Sequence, residues 1–104
     1  MKYIFEIKIK EGFTEGQYIE AWKSGSSLIQ KSEGAQGTIL YKNIYEPGKL
    51  LAIATWESKE KRDTAMKKLK EETLEVLEVL NKHDEFAERN TIGNFEEVAR
   101  VDPN

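Results

Sequence analysis

The 104-residue sequence contains no cysteine. This excludes disulfides, thiol nucleophiles, iron–sulfur clusters and cysteine-ligated zinc. It holds one histidine, His83, too few for a multi-histidine metal centre within one chain. No apolar run approaches the roughly 20 residues a membrane-spanning helix requires. The opening MKYIFEIKIK alternates apolar and polar residues, unlike the apolar block of a secretory signal. A cytoplasmic protein without membrane association is therefore expected. Basic excess is lacking too: the net charge is −3 and the pI about 5.3, which argues against a nucleic-acid partner.

What is present suits one small folded unit spanning residues 1–104. Hydrophobic residues make up 38% and charged residues 34%, with a mean hydropathy of −0.65. The apolar residues recur periodically, so disorder is not expected. Charge is uneven: residues 58–70 carry six basic and two acidic side chains, whereas residues 71–104 carry three basic and ten acidic. The basic block reads as a solvated helix face, Arg62 included, the alternative being an anion-attracting rim.

Tyr3, Phe5, Ile7 and Ile9 alternate with Ile4, Glu6, Lys8 and Lys10, which predicts a first strand. Thr14 is a fitting N-cap, with Gln17 as its capping-box partner, for a helix over residues 15–32. Its small residues Ser24, Gly25, Ser26 and Ser27 mark close packing against a sheet or a ligand. After a turn at 34–37, strands at Thr38–Tyr45 and Leu50–Glu57 form a hairpin through Glu46-Pro47-Gly48-Lys49. Ser58 caps a second helix reaching His83, with Met66, Leu69, Thr73, Val76, Leu77 and Leu80 as its apolar stripe. Such a helix runs ~37 Å against ~27 Å for the strands beneath it. A break is therefore expected at Lys70–Thr73. Residues 84–92 read as irregular, and a last strand is expected over Gly93–Val101.

The order β-α-β-β-α-β is the ferredoxin-like α+β pattern, a four-stranded antiparallel sheet with both helices on one face. The other face would lie open. Yet Leu51, Ile53, Ile39 and Tyr41 make it apolar as well. An apolar open face marks an interface. A homodimer, two sheets packed into one α/β barrel, is the economical solution.

Gly34-Ala35-Gln36-Gly37-Thr38, Glu46-Pro47-Gly48 and the run Leu51-Ala52-Ile53-Ala54-Thr55-Trp56-Glu57-Ser58-Lys59-Glu60 resemble the antibiotic biosynthesis monooxygenase family. The resemblance follows the element order over residues 2–101. It implies a dimeric α+β barrel and, as activity, cofactor-independent oxidation of a small planar aromatic of quinol or polyketide type. The alternatives on the same fold are a non-catalytic ligand-binding dimer and a haem-degrading monooxygenase. The haem-degrading branch is similar in its strand-ending tryptophan, which Trp56 matches. It also uses a strand-one asparagine and a histidine further on, where this chain has Glu6, Lys8 and Met66. The polyketide-oxidising branch places an asparagine before that tryptophan, at the position of Ala52.

Trp56 reads either as core packing or as a pocket wall stacking on a planar substrate. Trp22 reads as core or as the opposite wall. His83 reads as a solvated residue at a helix C-terminus or as a general base drawing a proton from a phenol. Tyr41 and Tyr45 read as ladder packing or as donors to a substrate oxygen, with Tyr41 the catalytic candidate. Asn43, between them, reads as a cross-strand partner or as a group orienting a substrate carbonyl. Neither a Ser–His–Asp set, a phosphate loop nor metal-ligand spacing occurs.

Overall fold

The computed structural model describes residues 1–72 and 74–104. Its elements are β1 (Lys2–Ile9), α1 (Glu15–Ile29), β2 (Ala35–Lys42), β3 (Lys49–Trp56), α2 (Lys59–Glu72), α3 (Leu74–Phe86) and β4 (Ala87–Phe95). The strands form one antiparallel sheet in the order β2-β3-β1-β4. This is the expected ferredoxin-like α+β arrangement. Among the described residues, no helix is long and apolar enough to cross a membrane.

Pairing fixes the faces. Tyr3 lies opposite Ala54, Phe5 opposite Ala52 and Ile7 opposite Leu50. Side chains alternate along a strand, so these residues share one face with Trp56. Helix α1 seats Tyr18 on that face, and Ile7, Tyr18, Leu50, Ala52 and Ala87 form the core, with Phe5, Ile9, Trp22, Leu40 and Phe86 packed around it. The opposite face carries Ile4, Ile39, Tyr41, Leu51, Ile53 and Phe95. Ile39 is 55% exposed and Tyr41 47%, so the second apolar face is a feature of the folded chain.

The helix starts follow their caps. Thr14 Oγ1 accepts from Gln17 N, and Gln17 Oε1 accepts from Thr14 N, completing the capping box. Ser58 Oγ accepts from Lys61 N at the head of α2. The turn before β2 needs glycine: Gly34 has φ +87°, and a Cβ there would meet Lys61 Cβ at 2.7 Å.

Several boundaries differ from expectation. Helix α1 ends at Ile29, three residues early, with Gln30 as its cap. Strand β2 starts at Ala35, within the expected turn, because an irregularity between Ala35 and Thr38 lets Ala35 pair with Trp56. It stops at Lys42. Asn43 Oδ1 then accepts from the backbone N–H of Tyr45 and Glu46, turning the chain before the hairpin reaches Tyr45. Helix α3 continues past His83 to Phe86, and β4 follows directly, inside the stretch expected to be irregular. Strand β4 is an edge strand held by its ladder to β1, while Val98 and Val101, expected to be in it, are almost fully exposed. The expected break at Lys70–Thr73 and the stripe at Thr73, Val76, Leu77 and Leu80 fall on 73 and on side chains outside the described residues.

Gly12 (φ +89°) has open space around its missing Cβ, whereas Gly34 does not. Gly12→Ala should cost about 1–2 kcal/mol from the left-handed backbone alone. Gly34→Ala should cost more, by urea denaturation. Equal losses would show that Lys61 yields freely.

Candidate functional site

A cavity of about 590 Å³ lies between the helices and the sheet. Ala54 of β3 lines it. Trp56 ends β3 as one wall, and Trp22 and Ser26, one helical turn apart, present α1 as another. The small-residue segment contributes by fitting closely: Gly25 is buried, and the hydroxyls of Ser24 and Ser27 turn back to the carbonyls of Glu20 and Lys23. Tyr3, Arg62, His83 and Arg89 are among its polar lining residues.

His83 is 4% exposed. Its Nε2 lies 2.7 Å from the carbonyl oxygen of Ala21. A carbonyl only accepts, so Nε2 carries the proton in the neutral ring and Nδ1 keeps its lone pair. Burial holds its pKa below the ordinary histidine value, and Arg89 adds to this; the Ala21 bond and Asp84 act the other way. The ring packs 5.5 Å from that of Tyr18. Tyr18 is fully buried, and its hydroxyl finds no hydrogen-bond partner among the described residues. Desolvation pushes its pKa up to about 12, so it stays a neutral phenol.

Two arginines differ in their engagement. Arg89 donates from Nε and Nη2 to the same oxygen, Asp84 Oδ1, at 3.1 and 2.8 Å. Arg62 instead places its guanidinium carbon 3.7 Å from the ring centre of Tyr3, a cation–π contact. Tyr3 is itself fixed by a 2.8 Å bond to Thr91 Oγ1. Arg62 thus faces the cavity, not solvent as the helix-face reading expects.

The structure brings Trp22, Trp56 and His83 together on this cavity and leaves Tyr41, Asn43 and Tyr45 away from it. Tyr41 lies on the open face of the sheet, where it borders a separate surface depression with Asn43. Asn43 is spent on its own turn. Tyr45 is 87% exposed beyond the end of β2. These three therefore do not share the cavity with Trp22, Trp56 and His83: β2 ends at Lys42, before Asn43 and Tyr45, and Tyr41 faces the open side of the sheet. His83 is buried rather than solvated. Sequence reasoning overlooked Tyr3, Asp84 and Arg89 as cavity residues. Tyr3 was findable, since its alternation with Phe5 puts it on the helix side. Among the described residues, no group of three potential ligands is placed to hold a metal ion.

No protein-family model matches the chain, and no curated protein matches it significantly. Solved structures do. The fold matches SnoaB, a cofactor-independent oxygenase from Streptomyces nogalater, with a TM-score of 0.72 at 8% identity, over 95% of this chain and 96% of that one. It matches a protein from Bordetella bronchiseptica, provisionally named an antibiotic biosynthesis monooxygenase, with a TM-score of 0.73 at 14% identity, over 93% and 96%. A conserved protein of unknown function from Bacteroides thetaiotaomicron gives 0.68 at 19% identity, over 86% and 89%. The chain therefore has the fold of the structures that carry the antibiotic biosynthesis monooxygenase name.

Proposed function

We propose that the chain is a cofactor-independent monooxygenase of a small planar aromatic, acting in the cytoplasm as a homodimer. The observation that carries this reading is His83: a buried imidazole bordering an aromatic-walled cavity, with Nε2–H committed to Ala21. A depressed pKa keeps it unprotonated at neutral pH, which suits a general base. Likeness in fold to a cofactor-independent oxygenase agrees with it.

In this scheme Trp22 and Trp56 hold the aromatic and exclude water. His83 takes a proton from an activated C–H or phenolic O–H. The substrate anion gives its electrons to molecular oxygen, and a new C–O bond forms. Loss of water then leaves a carbonyl. A methylene becomes a carbonyl in a four-electron oxidation, while one O2 supplies the new oxygen and ends with its second atom in water. Tyr41, Asn43 and Tyr45 have no part in this cycle within one subunit.

The dimer rests on the open face. Ile39, Tyr41 and Phe95 there are each about half exposed, and a second copy of the same face would cover them. Sedimentation should give twice the 12.0 kDa chain mass. A 12.0 kDa species at micromolar concentration would refute this pairing.

Oxygen uptake should be seen with anthrone- or hydroquinone-type substrates. His83→Gln, which can still donate to Ala21, should lower kcat by ~10²–10⁴-fold, and Trp56→Phe should raise KM. Saturable binding of the same compounds with no oxygen uptake would replace this reading with a ligand-binding role.

The His83 shift also predicts a pH effect on stability. Its folded pKa lies below its ordinary 6.5, so the unfolded chain binds the proton more readily. The stability that neutral His83 contributes is complete above about pH 6.5 and drains away as pH falls through the folded value. The urea midpoint of the wild type should therefore drop more steeply from neutral to acid pH than that of His83→Gln. Parallel profiles would contradict the buried neutral imidazole.

A further inference from the structure

The cavity is electrostatically at odds with the chain that forms it. The whole sequence is net −3. Yet the cavity is bordered by four cationic side chains, Lys10, Arg62, Lys70 and Arg89, against two acidic ones, Asp84 and Glu88. Arg89 and Asp84 neutralise each other. Among the described residues, Arg62 has only a longer ion pair. Its nearest carboxylate oxygen, Asp63 Oδ1, is 3.6 Å away, beyond a good hydrogen bond. The other Asp63 oxygen already takes Lys59 Nζ at 2.6 Å. No guanidinium hydrogen bond of Arg62 occurs among the described residues, although its side chain is only 20% exposed. The Tyr3 ring takes the guanidinium carbon at 3.7 Å, and no close acceptor among the described residues takes up the N–H groups.

We infer that Arg62 is an anion subsite of this cavity, and that the ligand is a planar aromatic bearing a carboxylate. The inference rests on the reading of the cavity as the ligand site and specifies the class of ligand it takes. A guanidinium edge is a planar fork that matches a carboxylate in a bidentate pair. Tyr3, anchored to Thr91, holds that fork in place from β1 and β4. The aromatic walls at Trp22 and Trp56 supply the apolar contact, and Arg62 fixes which end of the ligand lies toward α2. With His83 unprotonated and Arg89 paired to Asp84, Arg62 is the cavity guanidinium whose N–H groups meet no close carboxylate among the described residues; Lys10 and Lys70 also border the cavity but lack its planar fork.

The test uses two redox-stable probes, anthraquinone-2-carboxylate and anthraquinone-2-carboxamide, titrated against the intrinsic fluorescence of Trp22 and Trp56. A hydrogen-bonded charge pair predicts about tenfold or greater preference for the carboxylate in the wild-type protein, and this preference should shrink with added salt. Arg62→Gln should bring carboxylate affinity down to that of the carboxamide. Arg62→Lys should restore part of the difference, as a charge without the fork. A purely structural Arg62 would weaken both probes together and leave their ratio intact, which would overturn the proposal. Equal affinities in the wild type would overturn it without recourse to any variant. Failure of both probes to bind would remove the cavity as the ligand site. Oxygen uptake is read separately. Carboxylate preference without uptake keeps the subsite and refutes the monooxygenase, whereas uptake with no carboxylate preference does the reverse.

Discussion

Two small residues on β3 set the geometry of everything above them. Ala52 and Ala54 lie opposite Phe5 and Tyr3 in the β1–β3 ladder. Large side chains at both partners of each pair would fill the layer between sheet and helices. With alanine on one side, the layer is filled at the Ile7–Tyr18–Leu50 end and left open at the Tyr3–Trp56 end. Register makes this arrangement brittle. A one-residue slip of β3 would send Ala52 and Ala54 to the open face and bring Leu51 and Ile53 inward against Phe5 and Tyr3, closing the cavity.

His83 shows two opposing effects at one residue. It sits in the last turn of α3, where the helix dipole favours a protonated imidazole by typically 0.3–1 kcal/mol when exposed. Burial opposes this, and one pKa unit corresponds to about 1.4 kcal/mol. Burial is the larger cause here. Asp84, next in sequence, could have reversed the balance, but Arg89 occupies its carboxylate and itself disfavours a second positive charge on His83. The Asp84–Arg89 pair therefore does more for the site than for stability: an ion pair this exposed contributes ~0–1 kcal/mol.

Much of the fold was legible because it rests on local rules. Alternation marked β1, Thr14 and Gln17 marked the start of α1, and the apolar run into Trp56 marked β3. A last strand was legible but its bounds were not, because Glu88, Arg89 and Asn90 carry no alternation of hydrophobicity; their pairing with β1 is a long-range backbone effect that overrides weak strand propensity. The early end of β2 was also hidden. Asn43 has two uses for its side chain, and the one it adopts, capping its own turn, is invisible to a reading that counts alternation past it. Within the site, Trp22, Trp56 and His83 were identifiable as residue types. Arg62 was assigned to solvent because a cation–π contact with Tyr3, far away in sequence, leaves no local trace.

The two readings of Trp56, core or pocket wall, turn out not to compete. The ring is 2% exposed, as a core residue should be, and it borders the cavity, as a wall should. Both hold because protein covers nearly the whole indole and only a sliver of it meets the cavity. Packing around Trp56 is therefore close to complete, and the ring acts on the cavity by fixing its boundary more than by offering a face. The open space lies instead beside Ala54, whose single methyl, opposite Tyr3, leaves the layer between sheet and helices unfilled there.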